Sequence, residues 1–274
     1  MQWDKVKNVL IAILLAVNLF LLGNLGMKLW QERERTAALD ASLRTLAQGA
    51  GLALDESFRL PEDLVLPELS IDRSRADEEA VAAAILGGEA GRTEQEDGTV
   101  TYENDRGTVE WRADGRVQGN FTLDGEAPAD EDAALRLARS LFADWGLRAE
   151  DASLTADGMS VTLTGTVAGL PVYNRSVSLR FGADGEAALG GLWNFGTPYT
   201  TVNASGVTCN AADALLEFVS GQPEAGEVLS MEAGYRMQTD SSRRMQLTPT
   251  WKITTDSGEY LVDCDKKTIV DREN

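Results

Sequence analysis

The chain has 274 residues, a net charge of −19 and no histidine. So acidic a surface repels phosphate backbones and argues against nucleic acid as a partner. The missing imidazole removes the commonest general base and metal ligand, and with it every Ser/His/Asp or Cys/His arrangement.

From Val9 to Leu25 no side chain is charged, and Val, Leu, Ile, Ala and Phe are interrupted only by Asn18, Gly23 and Asn24. At 1.5 Å per residue this run spans roughly 25 Å, and Met27 and Leu29 extend it toward the ~30 Å of a hydrocarbon core. Trp3 and Trp30 then sit about 40 Å apart, near the two headgroup levels. The large apolar side chains favour insertion by about 5 kcal/mol in total. The run is longer than a signal-peptide core, and no small-x-small cleavage site follows it before the charged stretch from Gln31 to Arg35. An uncleaved single-pass anchor is expected, with the short N-terminal tail in the cytoplasm and the bulk of the chain outside. Around this helix Ala12, Ala16 and Gly23 fall within about 20 to 40 degrees of one another, a small-residue strip that lets a second helix approach closely. Asn18 lies on another face and can hydrogen-bond to a different neighbour. These four residues are the candidate partner-helix contacts.

Residues 31–50 read as a continuation helix with Leu39, Leu43 and Leu46 at helical spacing, stopped by Gly49 and Gly51. That stripe suits either a partner helix or the chain's own first domain. The stretch from Leu52 to Ser74 holds Pro61 and Pro67 and reads as an extended connector, with Leu64 to Leu66 as an edge strand. From Asp77 to Leu86 an acid-first helix is expected, ended by Gly87 and Gly88. Strands follow at Thr99 to Glu103, Thr108 to Arg112 and Arg116 to Leu123. Asp-Gly pairs at 97–98, 114–115, 124–125, 157–158 and 184–185 mark hairpin turns, so the sheets are antiparallel.

A second unit opens at Asp130 with Leu135, Ala138, Phe142 and Trp145 along one helical face, then strands at Ser160 to Val167, Val172 to Phe181 and Glu186 to Trp193. A third opens at Asn210, an N-cap residue, with Ala211, Leu215, Phe218 and Val219 apolar. Its strands are Val228 to Met237, Met245 to Thr254, Glu259 to Cys264 and one around Ile269. Ala133 and Ala211, and Pro171 and Pro249, share one offset, as a repeated helix-plus-meander predicts. The expected organisation is a tail and anchor (1–30), a juxtamembrane helix and connector (31–76) and three α+β units (77–127, 128–204, 205–274). The fold class is α+β: after the transmembrane helix come small antiparallel sheets, each backed by a helix.

Chemistry is scarce. No Gly-x-Ser-x-Gly, Walker-type loop, dinucleotide fingerprint or Cys-x-x-Cys occurs. Acid pairs such as Asp130/Asp132 and Asp263/Asp265 are expected by accident in so acidic a chain, and the first pair suits a helix N-terminus. No catalytic, metal or cofactor-binding residue is assigned. Cys209 and Cys264 either pair, which closes a loop worth about 4 kcal/mol by chain entropy, or stay as two buried thiols.

Taken together, the opening from Met1 to Lys7 before a hydrophobic segment ending Asn18-Leu-Phe-Leu-Leu22, the central Gly169-Leu-Pro-Val-Tyr-Asn174, Gly234-Tyr235, Pro249-Thr-Trp251 and Tyr260-Leu-Val-Asp263 resemble the YycI side of the YycH/YycI family. Gln2 stands where that family has an acid, and Cys264 where it has a small residue. The resemblance implies a non-catalytic accessory regulator of the Yyc (Wal) two-component system. It implies a related YycH-like partner in a hetero-oligomer, membrane-helix contacts with the sensor histidine kinase, and control of cell-wall metabolism. Repeated helix-backed meanders also resemble PepSY-type domains, so an extracellular peptide- or ligand-binding or peptidase-inhibitor module is the alternative. A concave apolar groove between units is its expected mark.

Overall fold

The computed structural model describes residues 41–147, 152–200, 206–221, 225–239 and 245–270, with scattered positions between 14 and 38. Among these the chain is a mixed α+β protein dominated by sheet, with few helices. No helix among the described residues is long and apolar enough to cross a membrane; most of the expected anchor lies outside them.

The first helical segment, α1, covers 41–49. Leu43 and Ala47, four residues apart, are buried, whereas Leu46 is exposed. The contact stripe therefore runs through 43 and 47 rather than 43 and 46. Its partner is the far end of the chain: Leu43 and Ala47 share a core with Ala211, Leu215, Phe218 and Trp251. The Arg44 guanidinium fixes the exit of α1 by donating to the carbonyls of Leu54, Asp55 and Phe58.

The connector is more structured than its prolines suggest. β1 (Ala53–Leu54), β2 (Leu64–Leu66) and β3 (Leu69–Ile71) each pair with a strand much later in sequence. Leu64 to Leu66 does form a strand, in a two-stranded ribbon.

Helix α2 (Arg75–Ile85) starts where Ser74 accepts from the Asp77 amide, and buries Val81, Ala82 and Ile85. β4 (Gly91–Glu94), β5 (Val100–Asn104), β6 (Gly107–Trp111) and β7 (Arg116–Thr122) follow as a meander. Helix α3 (Glu131–Asp144) is capped by the Asp130 carboxylate, which accepts from the Ala133 amide. It precedes β8 (Ala152–Asp157), β9 (Ser160–Val167), β10 (Leu170–Phe181) and β11 (Glu186–Leu192). These two units do not keep separate sheets. Their last strands, β7 and β11, pair antiparallel over their whole length and fuse the meanders into one sheet, ordered β4-β5-β6-β7-β11-β10-β9-β8. Residues of α2 and α3 share one core with its inner side, including Trp111, Phe121, Trp145, Leu179 and Trp193. One apolar face is thereby removed from water for both units.

β12 (Tyr199–Thr200) pairs with β3, and β13 (Val207–Cys209) with β2. Helix α4 (Ala211–Ser220) is capped by Asn210, whose side chain accepts from the Asp213 amide. It backs β14 (Glu227–Thr239), β15 (Met245–Thr255), β16 (Glu259–Asp263) and β17 (Thr268–Val270). In chain order Pro171 lies in the third strand of its meander and Pro249 in the second of its own, so the shared offset does not mark equivalent positions.

Candidate functional site

Strand alternation decides what the fused sheet shows to solvent. In β7 Val117, Gly119 and Phe121 are buried while Arg116, Gln118 and Asn120 are exposed; Ser160, Thr162 and Thr164 in β9 and Ser176, Ser178 and Arg180 in β10 share that outer face by the same period. One cross-strand row reads Thr155, Thr162, Ser178, Gly190, Gln118, Glu110, Thr101 from β8 to β5. Thr162 and Ser178 are joined by a 2.7 Å hydroxyl hydrogen bond. The row dips at β11, where Ala188 and Gly190 put little or no side chain over the backbone, and a Cβ added at Gly190 would meet open space. The outcome is a hydroxyl- and amide-lined floor with a shallow valley.

A wall stands along one end of this floor because β10 belongs to two sheets. Its second half pairs with β9 and β11, Leu170 and Pro171 pair with β9 beyond a shift in register, and Val172 pairs parallel with Tyr235 of β14. At the crossing the Asn174 amide takes the place of a ladder residue, donating to the Met237 carbonyl and accepting from the Met237 amide, both at 2.7 Å. The Tyr173 hydroxyl donates to the Glu232 carbonyl at 2.7 Å. Burial, with the Glu232 carboxylate adding to it, pushes that phenol well above its ordinary range, so it stays a donor. Position 234 has to be glycine: a Cβ there would lie 2.5 Å from the Pro171 carbonyl oxygen and 2.7 Å from the Tyr173 ring. Gly234 faces Thr250 in β15, and Thr250 faces Asp263 in β16. The separated motifs around 169–174, 234–235, 249–251 and 260–263 thus converge on this one crossing.

Floor and wall enclose an open cleft of about 1050 Å³. Five basic side chains line it, Arg112, Arg116, Arg180, Arg236 and Lys252, against the acids Glu232 and Glu259. That is the reverse of the chain as a whole, with 25 basic and 44 acidic residues. Lys252 lies 3.3 Å from Glu232 and 3.5 Å from Glu259, with its ammonium 5.6 Å from the centre of the Tyr173 ring. Arg112 is held by Glu110 and Arg116 by Asp114, both outside the cleft lining. The side chains of Arg180, exposed, and Arg236, half-buried, have no hydrogen-bond or ion-pair partner among the described residues. The lining can donate and accept hydrogen bonds along an extended chain and can meet anionic groups.

Ala12, Ala16 and Gly23 lie outside the described residues, and Asn18 is helical and exposed. The acid pairs serve local structure: Asp130 caps α3, and Asp263 accepts from the amides of Asp265 and Lys266 in the turn after β16. Among the described residues no group of His, Cys, Asp or Glu could hold a metal ion. Cys209 and Cys264 are both free thiols, the first buried. The groove between units exists, but its lining is polar where an apolar one was expected. It could have been found by asking of each strand not which residues face the core but which face away from it. The outward positions of β9 and β10 are almost all Ser, Thr or Arg.

No family model matches the chain, and no curated protein matches it. Among solved structures it is similar to an uncharacterized protein from Eubacterium rectale ATCC 33656, at 8% identity and a TM-score of 0.46, covering 81% of this chain and 92% of that one. It is also similar to the Bacillus megaterium YpeB C-terminal domain, at 13% identity and a TM-score of 0.35, covering 73% of this chain and 98% of that one.

Proposed function

We propose that this chain is a non-catalytic regulatory protein of the cell membrane, anchored by its first thirty residues, whose body lies outside and binds an extended ligand in the cleft. One observation supports the reading most: the C-terminal unit that walls the cleft also packs on α1, the helix that leads from the N-terminal segment. A ligand that prefers one placement of β14 to β16 over another therefore acts on α1 through direct packing, by as much as its differential affinity for the two placements and no more. On this reading the output is carried by Ala12, Ala16, Asn18 and Gly23, which touch the membrane helices of a sensor histidine kinase and of a YycH-like partner. The resemblance of the crossing motifs to the YycH/YycI family supports that choice of partners. The peptide-binding function of a PepSY-like module becomes the input side of the same protein.

The test replaces residues 1–30 with an unrelated single-pass anchor in the full chain and follows a reporter of the cell-wall two-component system. Loss of regulation at equal protein level is expected. Full regulation from the foreign anchor overturns the helix-contact reading.

A further inference from the structure

Resting on the cleft as a binding site, we infer that its ligand is an extended acidic peptide with carboxylates near both ends of a segment of about eight residues. Charge complementarity is the first argument. Of the five basic side chains on this one concave surface, Arg112, Arg116 and Lys252 are paired with acids, and Arg180 and Arg236 leave it a surplus of positive charge in a strongly acidic protein, which attracts anions. The second argument is the placement of the two guanidinium groups without partners among the described residues. Arg236 sits beside Tyr235, which pairs with Val172, and Arg180 lies eight residues further along β10. At roughly 3.3 Å per strand residue their backbone positions stand about 25 Å apart, near the length of an extended octapeptide. Each guanidinium offers a fork that matches a carboxylate.

Between them the floor is made of hydroxyls and amides that can both donate and accept, the complement of a peptide backbone, and Gly190 leaves room for that backbone to settle. A sugar chain is disfavoured because the floor carries no aromatic platform, and Tyr173 is committed to the Glu232 carbonyl. A densely phosphorylated polymer is disfavoured because Glu232 and Glu259 stand at the crossing end and neutralise Lys252.

The experiment measures fluorescence anisotropy of three labelled peptides on the full chain in detergent. Each has roughly ten residues of Ser and Gly, with Glu, Gln or Lys near both ends. The Glu peptide is expected to bind at least about ten times more tightly than the others. Arg180→Gln, at an exposed position that leaves folding intact, is expected to weaken the Glu peptide about fivefold and leave the Gln peptide unchanged, as is Arg236→Gln. Gly190→Trp, which fills the valley, is expected to abolish binding. Equal binding of the Gln or Lys peptide, lost in Gly190→Trp, overturns the acidic ligand while the cleft stands as a peptide site. Binding of the Glu peptide that survives Gly190→Trp overturns the inference by placing the ligand elsewhere. Absence of binding by all three overturns both the inference and the cleft reading.

Discussion

Replacing Asn174 by alanine should unlock the crossing at which β10 passes from one sheet to the other. The Asn174 amide makes two 2.7 Å hydrogen bonds to the backbone of Met237. Each is worth about 1 kcal/mol net, and stripping partners from a partly buried amide and carbonyl adds about 1 kcal/mol or more for each group left bare. Water reaching this part-buried site recovers some of that, so the expected loss is about 3 kcal/mol. Because the contact links two elements rather than stabilising one, the cost should appear as local opening. At 1.4 kcal/mol per factor of ten, the Met237 amide is expected to exchange about a hundredfold faster. Amides of Tyr102 and Val109, in the distant β5 and β6, should keep their protection. Site-resolved hydrogen exchange on the full chain measures both. An Asn174→Ala variant whose Met237 amide exchanges at the original rate would refute the reasoning, as would uniform loss of protection through the molecule.

Glu78 is fully buried in α2, and its carboxylate meets Arg73 through two contacts and Arg75 at 3.3 Å, while both arginines reach on to the Gly98 carbonyl. Glu78→Gln leaves two partly exposed guanidinium groups underpaired and should cost about 2 to 3 kcal/mol in denaturant unfolding; a cost below about 1 kcal/mol contradicts the pairing. Backbone hydrogen bonds from the amides of Glu227 and Gly226 hold the Asp256 carboxyl below its ordinary value. A depressed folded pKa means the turn's support is present above the unfolded value near 3.9 and is lost as pH falls through the folded one. An NMR titration should therefore place the Asp256 inflection below about 3.9, with the Gly226 and Glu227 amides losing protection in the same range. A hydrogen bond with Cys209 and burial push the Cys264 thiol well above its ordinary range, with the Asp263 carboxylate adding to the effect. Maleimide should label Cys264 in the folded chain at least about ten times more slowly than in denaturant, and fast labelling at pH 8 would contradict that environment.

Local structure was largely legible in the sequence, because it is set by local physics. All five Asp-Gly pairs place glycine at positive φ, and four of them close hairpins. The expected strand at Ser160 to Val167 coincides with β9, and β10 begins two residues earlier than Val172. Strands without an alternating apolar signal leave no such mark. β4 is Gly-Arg-Thr-Glu with every residue exposed, and β3 is three residues long and held by strands far away in the chain. The union of the first two meanders through β7 and β11 was hidden for a different reason. Both edges alternate as any edge does, and nothing local says which partner an edge will find. The burial of α1 against α4 is equally non-local, and it reassigned the leucine stripe from Leu46 to Ala47. The cleft inherits both of these long-range choices. Its Ser, Thr and Arg residues look like an ordinary solvated face until β14 to β16 stand over one end of them.

A difference hydrogen-exchange map of the full chain, with and without the acidic peptide, tests the link between cleft and α1 most directly. Slower exchange along β9, β10 and β14 to β16, together with a change in α1, is the predicted result. Changes confined to the helix-covered side of the eight-stranded sheet, or slower exchange in the cleft with α1 unaltered, would contradict a C-terminal unit that relays binding to the N-terminal segment.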